Sequence, residues 1–329
     1  MTESNLSQFV SGPNSVSINI PVKNGLPHFK DVCEMLAVQD YDGPFEVICV
    51  DSGSTDGSDS LAEAQGFRVV RIDGKDFGHG KTRNYSASLS KADYLVFITH
   101  DAIPNDARWL SELIAPMRED TRIAGVFSRH IAHGDADPFV EWELEQHFKG
   151  LADFPVVEIT NRTEYDANQG LRQIFHFYSD NASAMPRRIW EQHPYPDVQF
   201  AEDQIWAKEI VEAGYRKAFA FDSVVRHSHS FGPFETLQRS FDESRAFRKL
   251  FGYRLSGSPA HVLKSAAYLM KRDIGLALRN GWWRTHPSKT CSRLFEAITR
   301  PLGHYLGARD RLPDFMTRHL SRDDWIRSL

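Results

Sequence analysis

The stretch that decides the fold is FEVICVDSGSTDG, residues 45–57. Its first six residues are rich in apolar and β-branched side chains, which predicts a buried strand. The acidic, glycine-containing turn that begins at Asp51 then leads into a helix predicted over residues 57–65. A buried strand followed by a polar turn and a helix is the repeating unit of an open parallel α/β sheet, in which ligands bind beyond the carboxyl ends of the strands.

The same alternation continues on both sides of this stretch. We predict further strands over residues 16–20, 67–72, 93–99 and 123–129, and helices over residues 28–38, 80–91 and 106–118. The next part of the chain is predicted as a helix at 138–148, a loop at 150–170, strand at 172–185, a helix at 201–214 and two short strands at 217–222 and 223–230. Beyond these, only helical patterns follow, at 234–250, 258–280, 289–300 and 313–320. The predicted fold class is therefore α/β, a mostly parallel sheet flanked by helices with a C-terminal helical extension.

Composition excludes several classes of protein. The chain has 329 residues, of which 41% are hydrophobic and 25% charged, as in ordinary globular proteins and unlike collagen, coiled coils or disordered chains. Three scattered cysteines without metal or disulfide spacing indicate a reducing compartment. The first ten residues, MTESNLSQFV, lack the basic and apolar regions of a signal peptide. No apolar run approaches the roughly 18 residues of a bilayer span.

The charge is unevenly distributed. Residues 234–329 hold 18 Lys and Arg against 9 Asp and Glu, a net charge of +9, whereas the rest of the chain carries −14. A basic, partly apolar helix at 258–280 followed by Trp282 and Trp283 is typical of binding to an anionic membrane surface. The alternatives are packing within a helical subdomain and a homodimer contact. No nucleic-acid-binding module is recognisable.

Two nucleotide-binding motifs are missing. The dinucleotide fingerprint GxGxxG does not follow the first strand, which ends in Pro-Val-Lys at residues 21–23. The segment GHGKT at 78–82 has the end of a P-loop but neither its spacing nor a preceding strand. These absences exclude the usual sites of NAD-linked oxidoreductases and P-loop hydrolases.

Six motifs occur in a consistent order and carry a family resemblance: VSINIPVKNG (16–25), VICVDSGSTDGS (47–58), FGHGKTRNYSAS (77–88), YLVFITHDAIP (94–104), FAEDQIWAKEIVEAGY (200–215) and VVRHSHSF (224–231). The chain resembles a family 2 glycosyltransferase of the GT-A fold, and within it the bacterial rhamnosyltransferase-like branch. The resemblance covers about residues 15–232. It implies a catalytic domain at 1–233, with a nucleotide-sugar half at 15–130 and an acceptor half at 131–233, and a basic helical subdomain at 234–329.

The resemblance implies a set of nucleotide-binding residues: Pro21, Val22, Lys23, Asp51, Ser52, His79, Arg83 and His100. An ionised Asp51 carboxylate accepts hydrogen bonds only, which suits the imide N–H of a pyrimidine base. The alternative for Asp51 is a turn or helix-capping aspartate. Arg83 is expected to contact the diphosphate through its planar guanidinium.

A metal site is implied by the end of the fourth strand. Asp101 corresponds to the last residue of the family's DxD motif, although Thr99 and His100 replace the two residues before it. We expect Mg²⁺ or Mn²⁺, held by a carboxylate and diphosphate oxygens. His229 is the first candidate for a second ligand, and His227 is the alternative.

The catalytic residues are expected at the start of the helix over 201–214. Asp203 is the candidate base, Glu202 is expected to orient the acceptor or the base, and the helix N-terminus favours an ionised Asp203. Simple helix capping is the alternative for both carboxylates. Asn181 and Trp206 are expected near the acceptor, with core packing as the alternative for Trp206.

The implied reaction is transfer of a sugar with inversion, with dTDP-L-rhamnose as the first donor and UDP-sugars still open. The implied acceptor is a hydroxyl of a surface polysaccharide such as lipopolysaccharide, or of a lipid-linked glycan. The expected location is the bacterial cytoplasm, with peripheral binding at the inner membrane. The alternatives are a nucleotidyltransferase and a catalytically silent sugar-nucleotide- or glycan-binding protein.

Overall fold

The computed structural model describes residues 10–198, 200–309 and 312–322. The N-terminal stretch before residue 10 and the end of the basic tail after residue 322 therefore lie outside the described residues. The chain forms two compact units. The first contains the described residues up to Gly134 and Glu143–Ser228, and the second contains Asp135–Trp142 and the described residues from His229 onward. The division thus falls at 228/229 rather than at the predicted 233/234, and the second unit includes a segment that sequence did not assign to it.

The first unit is built on a nine-stranded sheet. Its strands are β1 Val16–Val22, β2 Phe45–Asp51, β3 Arg68–Arg71, β4 Tyr94–Ile98, β5 Ile103–Pro104, β6 Ile123–Ile131, β7 Val156–Val157, β8 Ala182–Pro186 and β9 Arg216–Arg226. Their order is β3-β2-β1-β4-β8-β6-β9-β5, with β7 also paired to β9. Strands β1, β2, β3, β4, β6 and β9 run in one direction, and β5, β7 and β8 run in the other. The predicted α/β class with a mostly parallel sheet is confirmed.

Helices cover the sheet and form the second unit. Those assigned wholly or partly to the first unit are α1 His28–Ala37, α2 Ser58–Ala64, α3 His79–Ser88, α4 Trp109–Glu119, α5 Pro138–Leu151, α6 Arg162–Ala167, α7 Gln169–His176, α8 Arg187–Gln192 and α9 Glu202–Glu212. The second unit contains the start of α5 and then α10 Pro233–Phe251, α11 Pro259–Arg279, α12 Trp282–Thr285, α13 Pro287–Gly307 and α14 Asp314–Leu320. The predicted C-terminal helices are therefore present.

The central strand β4 shows why the sheet has two covered faces. Val96 and Ile98 belong to one hydrophobic cluster, which includes Trp109 of α4. Leu95 and Phe97 belong to a second cluster on the opposite face. Successive side chains of a strand point to opposite faces, so an uninterrupted apolar run is expected where helices cover both.

The segment between α5 and α9 corrects the sequence interpretation. Residues 172–176, predicted as strand, belong to helix α7, and the predicted loop 150–170 contains β7 and α6. The reason is helix capping, because the Asn161 and Asn168 side chains accept hydrogen bonds from the N–H groups of Glu164 (3.2 Å) and Leu171 (3.0 Å). The two short strands predicted at 217–230 are one strand, β9, which has an irregularity in its pairing with β6.

The second unit has a mixed apolar and ionic interior. Phe139, Leu276 and Ala277 form its hydrophobic cluster, and Trp282 and Trp283 pack against this cluster. The tryptophans therefore follow the predicted alternative of packing within a helical subdomain. A buried ionic group lies in the same unit, where Arg293 Nε is 3.1 Å from Asp273 Oδ2 and Arg293 Nη1 is 3.1 Å from Glu296 Oε2. Within the described residues, no helix combines the length and the apolar character needed to cross a bilayer.

Two glycines let helices α10 and α13 approach closely. A Cβ atom placed on Gly303 would overlap the backbone oxygen of Leu237, and one on Gly307 would overlap the backbone oxygen of Phe241. By contrast, a Cβ placed on Gly275 of α11 would have no described heavy atom within 4 Å apart from its chain neighbours and its own helix backbone. Substitution of glycine by alanine is therefore crowded at Gly303 and unobstructed at Gly275.

We predict that Gly303→Ala destabilises the protein by about 1–3 kcal/mol, because the added methyl group overpacks the α10–α13 contact. The matched control, Gly275→Ala, is expected to stabilise by about 0.5–1 kcal/mol through helix propensity alone. Urea unfolding followed by circular dichroism measures both. Equal stability of the Gly303→Ala variant and the parent would contradict the close packing.

Candidate active site

The candidate site lies at one edge of the sheet. Val22 at the end of β1 is in register with Asp51 at the end of β2, and Asp101 follows the adjacent parallel strand β4. Strand β8 runs antiparallel to β4, so the residues before it reach the same edge, and the Thr99 N–H donates to the Asn181 carbonyl at 3.1 Å. Residues far apart in sequence are thereby brought to the carboxyl ends of parallel strands, where ligands bind in such sheets.

A cavity of about 180 Å³ opens among these strand ends. Its walls include seven of the eight residues predicted to bind the nucleotide: Pro21, Val22, Lys23, Ser52, His79, Arg83 and His100. Gly74, Phe77 and Thr99 complete the walls. The structure therefore gathers one predicted set of residues, drawn from four separate motifs, around one space.

Asp51 is the eighth predicted nucleotide residue, and it is 3% exposed beside this cavity's Ser52. Its carboxylate accepts hydrogen bonds from the backbone N–H groups of Gly53 at 3.0 Å and Ser54 at 3.1 Å. Gly53 has a φ of +94°, a conformation that favours glycine. These contacts are those of a turn aspartate, the alternative role given for Asp51. Recognition of a nucleotide base by Asp51 remains a prediction.

Asp101 and His227 form the candidate metal-binding pair. His227 Nε2 lies 3.6 Å from Asp101 Oδ2. Burial alone would raise the pKa of Asp101, but the hydrogen bond and charge of His227 outweigh it and hold that pKa below its usual range. His130 packs edge-on against the His227 ring at 5.4 Å, and burial lowers its pKa, which favours a neutral ring. His229, the other predicted ligand, is the first residue of the second unit.

Arg83 is the centre of a buried ionic group. Its Nε lies 3.0 Å from Asp180 Oδ2, in ion-pair contact but without hydrogen-bond alignment, and its Nη1 donates to Glu202 Oε1 at 3.1 Å. The three side chains are all less than a tenth exposed. His79, more than half exposed, lies 3.9 Å from the same Glu202 oxygen. Glu202 thus binds Arg83, and its role in orienting the acceptor or the base stays a prediction.

Asp203 follows Glu202 at the start of α9 and remains partly exposed. Its Oδ1 accepts a hydrogen bond from the Gln204 N–H at 2.7 Å. Burial, with the nearby charge of Asp180, raises the pKa of Asp203 to about 8. Burial and the Asp180 charge therefore oppose the ionised form of Asp203 that the helix N-terminus is expected to favour. Ala201, immediately before this pair, has a left-handed φ of 58°, a strained conformation of the kind found at functional sites.

The profile of glycosyl transferase family 2 matches residues 17–193, more than half of the chain. The chain belongs to glycosyltransferase family 2.

This glycosyltransferase is 31% identical to the O-antigen chain rhamnosyltransferase RfbN of Salmonella typhimurium over 231 residues, which cover 69% of this chain and 70% of that protein. It is also 31% identical to the O-antigen chain rhamnosyltransferase WbaN of Salmonella anatum over 202 residues, or 60% of this chain and 61% of that one. The predicted rhamnosyltransferase-like resemblance is confirmed.

Solved structures show the same fold. The mannosyltransferase PcManGT from Pyrobaculum calidifontis, solved with GDP-Man and Mn²⁺, aligns with a TM-score of 0.54 at 16% identity, covering 87% of this chain and 86% of that one. Residues 1–349 of TarS from S. aureus align with a TM-score of 0.50 at 17% identity, covering 90% and 88%. The GT-A fold of this glycosyltransferase is therefore confirmed.

The two predicted acceptor residues have different environments in this glycosyltransferase. Trp206 is fully buried, its indole N–H donates to the His193 carbonyl at 2.8 Å, and it packs against Tyr178 and Tyr195. Acceptor contact by Trp206 is therefore wrong, and core packing is the correct alternative. Asn181 lies partly exposed at the edge of the sheet beside Thr99.

Sequence reasoning missed two residues of the site. The strand predicted over residues 172–185 conceals Asp180, although this residue directly precedes the candidate Asn181. His130 lies near the end of β6, whose carboxyl end lies at the same edge as that of its parallel neighbour β9. Applying the strand-end rule to β6 would have found His130, whereas only the three-dimensional contact with Arg83 identifies Asp180.

We predict a pH-dependent stability difference between the parent and Asp203→Asn. In the folded protein the pKa of Asp203 is about 8, well above its unfolded value of 3.8, so stability falls as pH rises through this range. The asparagine does not titrate, so the melting temperature of Asp203→Asn relative to the parent should rise by several degrees between about pH 5 and about pH 8.5. The control is Asp153→Asn, which makes the same change at an exposed aspartate. The same offset at both pH values would contradict the prediction.

Proposed function

We propose that this glycosyltransferase moves L-rhamnose from dTDP-L-rhamnose, or another hexose from a UDP-sugar, to a hydroxyl of a surface-polysaccharide or lipid-linked glycan, with inversion. The observation that carries the proposal is the cavity at the ends of β1, β2 and β4. Arg83 in its wall donates a hydrogen bond to the carboxylate of Glu202, the residue before Asp203. The names of the two O-antigen relatives support the sugar and the acceptor class.

The residues that line the proposed nucleotide pocket have different roles. Lys23 is exposed at the cavity and supplies a cation for a diphosphate. His79, at the start of α3, offers an exposed ring to the same cavity. Arg83 is committed to Asp180 and Glu202, so we assign it to holding those carboxyl groups rather than to gripping the diphosphate alone. Asp51 can still accept a base N–H, because a carboxylate has about four acceptor positions and the turn uses only some of them.

The donor set at the edge of the sheet fits a divalent ion. Asp101 offers a carboxylate oxygen, the ligand type that suits Mg²⁺ and Mn²⁺, and His227 offers an imidazole nitrogen 3.6 Å from it, with His229 two residues further as a third candidate. When bound, the ion supplies Lewis-acid stabilisation to the negative charge that grows on the leaving diphosphate. Asp101 and His227 orient each other, and His130 supports the His227 ring.

Asp203 is the proposed general base. It is partly exposed, so an acceptor hydroxyl can reach it, and a pKa near 8 lies close to the working pH, where proton acceptance is most efficient. One base and one leaving group suffice for a single displacement, which inverts the anomeric carbon. The C–O bond to the acceptor forms, the bond to the diphosphate breaks, and the hydroxyl proton passes to Asp203.

The proposed place of action is the bacterial cytoplasm, at the inner face of the membrane where a lipid-linked acceptor would be found. The support is the acceptor class named for the relatives. Peripheral binding of the basic C-terminal helices to the membrane surface would fit this location.

We predict that Asp203→Asn lowers kcat by about 10²–10⁴-fold and leaves sugar-nucleotide affinity nearly unchanged, because only the proton acceptor is lost. In the parent, activity should rise with pH until the pKa of about 8 is passed, since the base acts in its deprotonated form. Steady-state kinetics and isothermal calorimetry measure these quantities. Turnover near that of the parent in Asp203→Asn would reject the assignment.

Asp180→Asn tests how the pKa of that base is set. Removing the Asp180 charge should lower the pKa of Asp203 and shift the rising limb of kcat/KM to lower pH by about one unit. A purely structural defect would lower activity at every pH without moving the limb. An unmoved limb would therefore contradict the proposed coupling.

The donor and the metal are tested together by a thermal-shift panel of dTDP- and UDP-sugars with and without Mn²⁺. We expect dTDP-L-rhamnose with Mn²⁺ to give the largest rise in Tm, since a ligand that binds only the folded state stabilises it. Asp101→Ala should abolish the Mn²⁺-dependent part and leave the metal-independent part. An unchanged Mn²⁺ dependence would remove Asp101 from the metal site.

A further inference from the structure

Asn84 belongs to the motif at residues 77–88, and the site described above leaves it without a role. It follows Arg83 on α3, and its side-chain amide makes three hydrogen bonds. Nδ2 donates to the Tyr195 carbonyl at 2.7 Å, and Oδ1 accepts from the Tyr195 N–H at 3.1 Å and from the Trp190 indole N–H at 2.9 Å. Because Oδ1 faces two N–H groups and Nδ2 faces a carbonyl, these partners determine the orientation of the amide.

Tyr195 is held by both of its backbone polar groups. It lies in the segment 193–196, which precedes α9, between Pro194 and Pro196. A proline has no N–H group, so the Tyr195 N–H is the one backbone donor of the three residues, and the residue before a proline favours an extended conformation. The two bonds from Asn84 therefore fix both the position and the direction of this short stretch of backbone.

Gly80, about one turn before Asn84, lets the segment 193–196 lie close to α3. A Cβ atom placed on Gly80 would come within 2.2 Å of the Pro196 carbonyl oxygen, so one of the two backbones would have to move. At Gly150 of α5, by contrast, a Cβ atom would meet no described heavy atom within 4 Å apart from its chain neighbours and its own helix backbone. The segment thus contacts α3 twice, at Gly80 and at Asn84.

The segment 193–196 also packs directly on α9. The His193 carbonyl accepts a hydrogen bond from the indole N–H of Trp206 at 2.8 Å, and the centroids of the Tyr195 and Trp206 rings lie 5.8 Å apart. Trp206 is fully buried and lies about one turn after Asp203 on α9. A side chain that fixes the segment therefore also fixes the helix that carries Asp203.

We propose that Asn84 is a positioning residue of the transfer reaction, which holds α9, and with it the carboxylate of Asp203, in place relative to the nucleotide cavity beside α3. The bond from Arg83 to Glu202 is a charged link between α3 and α9, and Asn84 adds a neutral link that does not depend on the protonation of a carboxyl group. Misplacement by about 1 Å can cost on the order of 10²-fold in rate, so the link acts on turnover. This inference rests on the proposed role of Asp203 as the base.

The first experiment needs no substrate. Asn84→Ala removes all three hydrogen bonds, so hydrogen exchange measured by mass spectrometry should become about tenfold faster at Tyr195 and at the start of α9. Trp190→Phe is the matched control, because it removes one of the same three bonds and keeps both bonds to Tyr195. Its exchange should match the parent's, and β2 serves as the internal reference in both variants. Unchanged exchange in Asn84→Ala, or equal changes in the two variants, would overturn the proposal.

Steady-state kinetics then separate positioning from general destabilisation. We expect Asn84→Ala to lower kcat for transfer from dTDP-L-rhamnose by about 10–100-fold and to leave the KM of this donor within about threefold of the parent's. Trp190→Phe should keep the parent's kcat. A rise in the donor KM without a fall in kcat would contradict a role in positioning the base.

Gly80→Ala tests the second contact of the same segment. The added methyl group should push the Pro196 backbone away from α3 and lower kcat in the same direction as Asn84→Ala. Gly150→Ala makes the same change in an unobstructed helix and should keep the parent's kcat. Parental kcat in Gly80→Ala would contradict the importance of the close contact with α3.

A double-mutant cycle separates this inference from the proposed function. If Asn84 acts through Asp203, then Asn84→Ala should change kcat by less than about twofold in the Asp203→Asn background, because the positioned group is already lost. An undiminished effect in that background, with Asp203→Asn itself strongly impaired, would overturn the role of Asn84 and leave that of Asp203 intact. Parental turnover of Asp203→Asn alone would instead reject the base, and the role of Asn84 with it.

Discussion

The ion pairs of Arg83 are the interaction on which the candidate active site depends. One guanidinium on α3 holds Asp180, just before β8, and Glu202, at the start of α9. Taking these charges out of water is expensive, and it is offset only while all partners are in place. Without Arg83, two buried carboxyl groups would lose their compensating charge, and α9, which carries Asp203, would lose its tie to the nucleotide cavity.

The charges of this group do not balance, and the imbalance has a chemical consequence. A single guanidinium faces the carboxyl groups of Asp180, Glu202 and Asp203, and the pKa of both aspartates is raised to about 8, by burial first. The charge of Glu202 also raises the pKa of Asp180, while the charge of Arg83 lowers it. The group therefore titrates as a unit, so the basicity of Asp203 is a property of the whole cluster.

The sequence was informative wherever a local pattern determines the structure. The strand and turn at residues 45–57 place Asp51 and Ser52 correctly, because periodicity and turn chemistry act over a few residues. The role of Arg83 is not predictable in this way, since its partner Asp180 lies almost a hundred positions away and the sequence predicts loop and strand where helices α6 and α7 lie. Long-range charge contacts leave no periodic trace in a sequence.

Part of the basic character of the second unit has a structural role. Arg293 is buried against Asp273 and Glu296, and Arg272 pairs with the same Asp273, so these cations stabilise the fold and are not offered to a partner. A net charge of +9 is therefore too coarse a quantity to name a ligand, because some of these charges are already paired inside the fold.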